Sequence, residues 1–169
     1  SSVHRYGQVA EAAVDAARET VASVLNCKPD EIIFTSCGSE SDNLAIRGAA
    51  YAMRAKTGAK RILAARVEHP AVTRTLLHLE KYEGFLSEWL DVDEHGMVRP
   101  EAVAKAIRDD SALVSVMYAN NEIGTINPIR EIAEVCKSKN ILFHTDAVQA
   151  AAYLPVDVQA LGVDMLSLG

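Results

Sequence analysis

The chain has 169 residues, 49% of them hydrophobic, and a formal net charge of −6. That length suits one compact domain with a sizeable core, and the acidic balance excludes the basic footprint of a nucleic-acid binder. The apolar runs are far too short for a membrane span, and SSVHRYGQVAEAAVD lacks the basic-then-apolar order of a signal peptide.

Tyr6 to Leu25 carries Ala and Val at helical spacing and predicts a helix. Asn26, Pro29 and Asp30 predict a loop, and Glu31 to Thr35 a short buried strand. SESDNLAIRGAAYAMRAKTG predicts a helix opened by cap-type residues and closed at Gly58. RILAARVEHP predicts a strand entering a turn, and AVTRTLLHLEKYEG a helix stopped at Gly84. FLSEWLDVDEHGMV predicts a strand and polar turn, and RPEAVAKAIRDD a helix with Pro at its start. ALVSVMYANNEIGTINP predicts an apolar strand ending in a polar loop. IREIAEVCKSKN then predicts a helix, ILFHTD a strand, and DMLSLG the start of another. This alternation predicts an α/β fold, a mainly parallel sheet with helices on both faces. No repeat, low-complexity segment or linker interrupts it.

In such sheets ligands sit outside the carboxyl ends of the strands, so the residues after each apolar run belong together. EIIFTS is followed by Cys37, Gly38 and Ser39 at a helix start, RILAARVE by His69, ALVSVMYA by Asn120 and Asn121, and NILF by His144, Asp146 and Gln149. Gly38 allows close backbone approach, and a helix N-terminus favours a phosphate. Each residue also has a plainer reading. Ser39 or Ser41 can cap the helix, His69 can be structural, and Asn121 can build a turn. Asp146 can cap the following helix or pair with an arginine. His144 and Asp146 lack a third partner for a metal, so no metal site is expected. Taken together, a phosphate site, an imidazole, two amides and an acid suit one flat ligand with a phosphate tail and a cationic ring. Pyridoxal phosphate is such a ligand, and its ring nitrogen needs an acid to stay protonated.

The stretches SSVHRYGQ, DEIIFTSCGSESDNLAI, VEHPAV, YANNEIGTINPI, FHTDAVQA and VDMLSLG occur in one order along the chain. With them the chain resembles the cysteine desulfurases of the NifS/IscS branch, in the class V aminotransferase group of fold-type I pyridoxal phosphate enzymes. The resemblance implies that Gly38 and Ser39 bind the phosphate, although many relatives carry Thr where Ser39 stands. It implies that His69 stacks on the ring and moves protons, that Asn121 and Gln149 lie near the ring's phenolic oxygen, and that Asp146 partners the ring nitrogen. It further implies removal of sulfur from L-cysteine to leave L-alanine and an enzyme persulfide, a sulfur-acceptor or scaffold protein as partner, and a homodimer.

No lysine here matches the family's Schiff-base position, and no cysteine matches its mobile-loop nucleophile. Cys27 reads as a loop residue, Cys136 as structural within a helix, and Cys37 as packing beneath the phosphate loop. The expectation is a truncated large domain over residues 1–169, lacking the C-terminal small domain and inactive alone. Three sparse cysteines without a CxxC pair predict a reducing, cytoplasmic setting. A selenocysteine lyase, another class V transferase, or a noncatalytic scaffold fragment are the alternatives.

Overall fold

Residues whose apolar runs are buried on both sides make the centre of the molecule. The computed structural model describes residues 4–169; residues 1–3, the opening of SSVHRYGQ, lie outside the described residues. Strands β1 (Arg61–Ala65), β2 (Leu86–Leu90), β3 (Ser111–Ser115), β4 (Leu142–Asp146) and β5 (Met165–Ser167) form one sheet in the order β2-β1-β3-β4-β5. Every pairing is parallel. All five residues of β3 are buried, as a parallel strand covered on both faces requires.

Among the described residues there are six α-helices, α1 (Arg5–Leu25), α2 (Gly38–Thr57), α3 (Pro70–Glu83), α4 (Pro100–Ala106), α5 (Ile129–Ser138) and α6 (Val158–Leu161); α1 packs on the turn at 29–31 and not on the sheet. The short α6 is not among the elements predicted from sequence. On one face, α2 and α3 place Ile46, Ala50, Val72 and Leu76 against Ile62, Ala64 and Leu113. On the other, Val103, Ile132, Cys136 and Leu161 pack on Leu63, Val114 and Phe143. The C-caps Gly58 and Gly84 have φ of +78° and +71°, which ends α2 and α3 where the glycines stand. Among the described residues no helix is long and apolar enough to cross a membrane.

Strand order reverses between β1 and β3, because the chain runs outward to β2 and returns across β1. Ligand-binding crevices open at such a switch point, at the carboxyl ends of the strands. The start of α2 lies there too, with Gly38 against Val148 and Gly169.

One expected strand does not form. Residues 29–31 form a 3-10 turn, and 32–35 are extended without a strand partner among the described residues. Ile33 and Phe34 are 69% and 48% exposed. An apolar run becomes a buried strand only when a neighbour takes up its backbone groups. Here the contacts are to Arg18, whose guanidinium donates to the Ile32 carbonyl and lies 5.0 Å from the Phe34 ring centroid.

Leu113 is fully buried in the central strand, facing α2 and α3. Leu113→Ala is expected to cost about 2–5 kcal/mol, the range for emptied core sites, read by urea unfolding. A loss under about 1 kcal/mol would show that α2 and α3 settle into the gap.

Candidate functional site

A cavity of about 280 Å³ opens at the carboxyl end of the sheet. Gly38, Ser39, His69, Asn121, Asp146 and Gln149, chosen from the sequence, all line it. They come from the start of α2 and the ends of β1, β3 and β4, so only the parallel sheet brings them together.

The start of α2 presents unused donors. Its N-cap is Cys37, which makes no side-chain capping bond. Neither Ser39 nor Ser41 caps the helix: the Ser41 hydroxyl pairs with that of Thr35 at 2.8 Å, and Ser39 is exposed at the cavity. The backbone N–H groups of Gly38 and Ser39 have no partner among the described residues. These donors and the positive end of the helix dipole make an anion cradle. Cys37 does not pack beneath the loop; it is exposed and lines the cavity, because the extended N-cap turns its side chain outward.

Gly38 is required by space. A Cβ there would stand 2.7 Å from Val148 Cγ2, closer than carbon atoms pack. Gly38→Ala is expected to destabilise the domain by about 1–3 kcal/mol through overpacking. Adding Val148→Ala should recover most of that loss in urea unfolding. No recovery would place the glycine's importance elsewhere than at Val148.

Asp146, at the end of β4, is 6% exposed. Its Oδ1 accepts from the Val148 N–H at 2.9 Å, so it closes the turn after the strand. No arginine or lysine pairs with it among the described residues. Burial raises its pKa, while the Val148 N–H and His69 hold it down. The acid thus faces the cavity beside an imidazole and, among the described residues, with no arginine or lysine as counter-cation.

His69 is the N-cap of α3, and its Nδ1 accepts from the Ala71 N–H at 3.1 Å. With Nδ1 an acceptor, the neutral ring carries its proton on Nε2. His69 is therefore a structural cap and a cavity-lining imidazole at once. Asn121 lies within the turn at 121–123. The side chain that holds the turn is that of its neighbour Asn120, accepting from Glu122 and Ile123 N–H at 2.9 and 3.0 Å and donating to the Val67 carbonyl at 3.0 Å. Asn121 and Gln149 stay exposed at the rim.

Beneath these residues lies a polar tier of which reading the strand ends names only His144. Asp42 is 1% exposed and lines the cavity, and Glu68 is 7% exposed with Oε1 accepting from the Met117 N–H at 2.8 Å. Burial raises the Glu68 pKa well above its ordinary value. His144 is fully buried, with Nδ1 and Nε2 each 2.9 Å from the hydroxyls of Ser115 and Ser167. Burial pushes its pKa down to about 4, so it is neutral. Its 3.7 Å approach to Asp42 is thus not an ion pair, although the distance alone would qualify. Helical spacing could have found Asp42: it shares a stripe with Ile46, Ala49 and Ala50, all buried.

A cavity with an anion cradle, a proton-bearing imidazole and an uncompensated buried acid suits a ligand carrying both a phosphate and a cationic ring. The fold is that of fold-type I pyridoxal phosphate enzymes. The chain belongs to the class V aminotransferase family, whose model matches residues 1–169. Proteins of that class are pyridoxal phosphate enzymes, as are the cysteine desulfurases.

Among curated relatives, it is similar to the cysteine desulfurases IscS of Dictyoglomus turgidum (48% identity) and Clostridium botulinum (50%), each over 99% of this chain and 42% of theirs. The cysteine desulfurase IscS of Methanosarcina thermophila is 49% identical over 99% of this chain and 41% of its own. The chain thus spans under half the length of these relatives. A solved structure described as SspA in complex with cysteine superposes with TM-score 0.94 at 37% identity, over all of this chain and 48% of that one. DndA from Streptomyces lividans superposes with TM-score 0.90 at 37% identity, over all of this chain and 46% of its own.

Proposed function

We propose that residues 1–169 form the cofactor-binding large domain of a cysteine desulfurase. One observation carries this reading furthest: Asp146 is buried, has no arginine or lysine partner among the described residues, and lines the same cavity as the uncapped start of α2. In this reading the N–H groups of Gly38 and Ser39 and the Ser39 hydroxyl bind the phosphate. Asp146 holds a proton on the ring nitrogen, Asn121 and Gln149 donate toward the phenolic oxygen, and His69 moves a proton through Nε2. Met117, Ala119 and Val148 exclude water from one wall. Bound pyridoxal phosphate supplies the electron sink for chemistry at the amino-acid substrate.

The reaction is removal of sulfur from L-cysteine, giving L-alanine and a persulfide that is passed to a sulfur-acceptor or scaffold protein. Iron–sulfur cluster or thio-cofactor assembly in the cytoplasm is the setting this reading implies. The relatives' names and the relative described in complex with cysteine support the substrate. A homodimer is part of the reading. In this reading the second copy would cover α1, where only Ala22 and Leu25 are buried while Tyr6 and Val9 are 90% and 64% exposed. Turnover also needs a lysine and a nucleophilic cysteine that no position in these 169 residues matches.

Binding is tested on the 169-residue chain by equilibrium titration with pyridoxal phosphate, and turnover on the protein that carries this chain, with L-cysteine as substrate. Alanine and sulfane sulfur formed in equal amounts are the expected result. Cofactor binding without either product would favour a noncatalytic scaffold, and alanine formed from selenocysteine alone a lyase of that substrate.

A further inference from the structure

Asp42 reaches the cavity from the second turn of α2, and none of the cofactor contacts assigned so far uses it. Its Oδ1 has no hydrogen-bond partner among the described residues, and the residue is 1% exposed. A buried carboxyl in that state either stays protonated or awaits a cation. The groups around it supply none. His144 on β4 is neutral, with both nitrogens occupied by serine hydroxyls. Ser167 on β5 hydrogen-bonds the Asp42 side chain and holds its pKa down somewhat, but it is uncharged. Asp146 at the end of β4 and Glu68 after β1 are acids: Asp146 raises the cost of ionising Asp42, and Asp146 and Asp42 together raise that of Glu68. His69 at the head of α3 and Cys37 at the head of α2 line the same cavity, and His69 acts on Asp146. The cavity is therefore ringed by more carboxyl groups than one ring nitrogen needs.

We propose that Asp42 is a positioning residue for the ring-binding acid: beside Asp146, it sets how strongly the cavity holds a cationic ring, weakly while it keeps its proton and strongly once it has lost it. This rests on the assignment of the cavity to pyridoxal phosphate. Asp42 touches neither the phosphate cradle nor the proton carrier; it acts through the field at Asp146. Burial first, and Asp146 second, push its pKa up to about 7, so the change of state falls near neutrality. A bound ring cation favours the ionised form, and by linkage affinity for the cation rises with pH through that region. Without ligand the sign is opposite. The folded state holds the Asp42 proton more tightly than the unfolded chain, so its contribution to stability is greatest below the ordinary carboxylate range. That contribution is lost as pH rises toward 7 and then levels off.

The test compares the unaltered chain with Asp42→Asn, which imitates the protonated form at every pH. Pyridoxal phosphate dissociation constants are measured from about pH 5.5 to 8.5, a window spanning the shifted group. Ionisations of the free ligand are common to both proteins and cancel in the comparison. Similar affinities at the acid end, and affinity about tenfold tighter for the unaltered chain at the alkaline end, are expected; tenfold is the size of a one-unit coupling. Urea unfolding without ligand should show the unaltered chain losing stability relative to Asp42→Asn over the acid half of the range. Parallel affinity curves would overturn the proposal even if the stability difference appears, because Asp42 would then be a buried acid uncoupled from the ring. If Asp42→Asn does not fold, infrared difference spectra of the unaltered chain near pH 7 decide the matter. Loss of a carboxylic-acid carbonyl band on adding pyridoxal phosphate supports the proposal, and an unchanged band overturns it. Absence of pyridoxal phosphate binding to the unaltered chain removes the cofactor reading and this inference together, whereas equal binding to both proteins at every pH removes only this inference.

Discussion

Asp146→Asn is expected to weaken pyridoxal phosphate binding by roughly 100- to 5,000-fold while making the ligand-free domain slightly more stable at neutral pH. The first figure is the cost of breaking a buried ion pair by removing one partner, about 3–5 kcal/mol. The opposite sign for stability comes from the position of the acid. Burial raises its folded pKa, so the folded state resists its ionisation and loses stability as pH rises above the ordinary carboxylate range. Asparagine removes that penalty and still accepts the Val148 N–H, which Asp146 binds at 2.9 Å, so the turn after β4 is kept. Titration with pyridoxal phosphate and urea unfolding at pH 7 read the two effects separately. Affinity unchanged within about twofold would mean that the ring cation is held elsewhere, and the assignment of Asp146 would fall.

His69→Asn is expected to lower turnover in the protein carrying this chain by about 10²- to 10⁴-fold, the usual contribution of a positioned acid–base group. Asparagine is chosen because the imidazole also has a structural role, its Nδ1 capping α3 through the Ala71 N–H. Asparagine ranks among the best N-cap residues, so the helix start survives. His69→Ala should lose the same turnover and a further ~1 kcal/mol of stability, the typical cost of a lost cap. Comparing the two variants in urea isolates the cap, and comparing the kcat of His69→Asn with that of the unaltered protein isolates the proton carrier. Equal kcat for His69→Asn and the unaltered protein would leave His69 a cap alone.

The six candidate site residues were legible because each sits just after an apolar run, where backbone polarity and ligand chemistry concentrate. The deeper acids were not. Asp42 lies inside a helix and Glu68 one residue before the conspicuous His69, so neither marks a strand end. Their importance comes from burial, which only packing of α2 and the 66–69 connection against β3, β4 and β5 creates. His144 illustrates the same limit. In HTDAVQ it resembles a ligand or a catalytic group, yet Ser115 and Ser167, from the strands flanking β4, take up both its nitrogens.

The run from Glu31 to Thr35 failed as a strand for a related reason. Its residues have the right composition, but a strand is a property of a pair, and the described residues give this run no partner. Periodicity, glycine stops and proline starts are local, so the sequence by itself determined the alternation of helices and strands, the ends of α2 and α3, and the kinds of groups placed after each strand. Strand order, the reversal between β1 and β3, the missing counter-charge at Asp146 and the buried place of Asp42 were decided only by the tertiary structure. Each depends on which distant segments become neighbours and on how much water their packing removes.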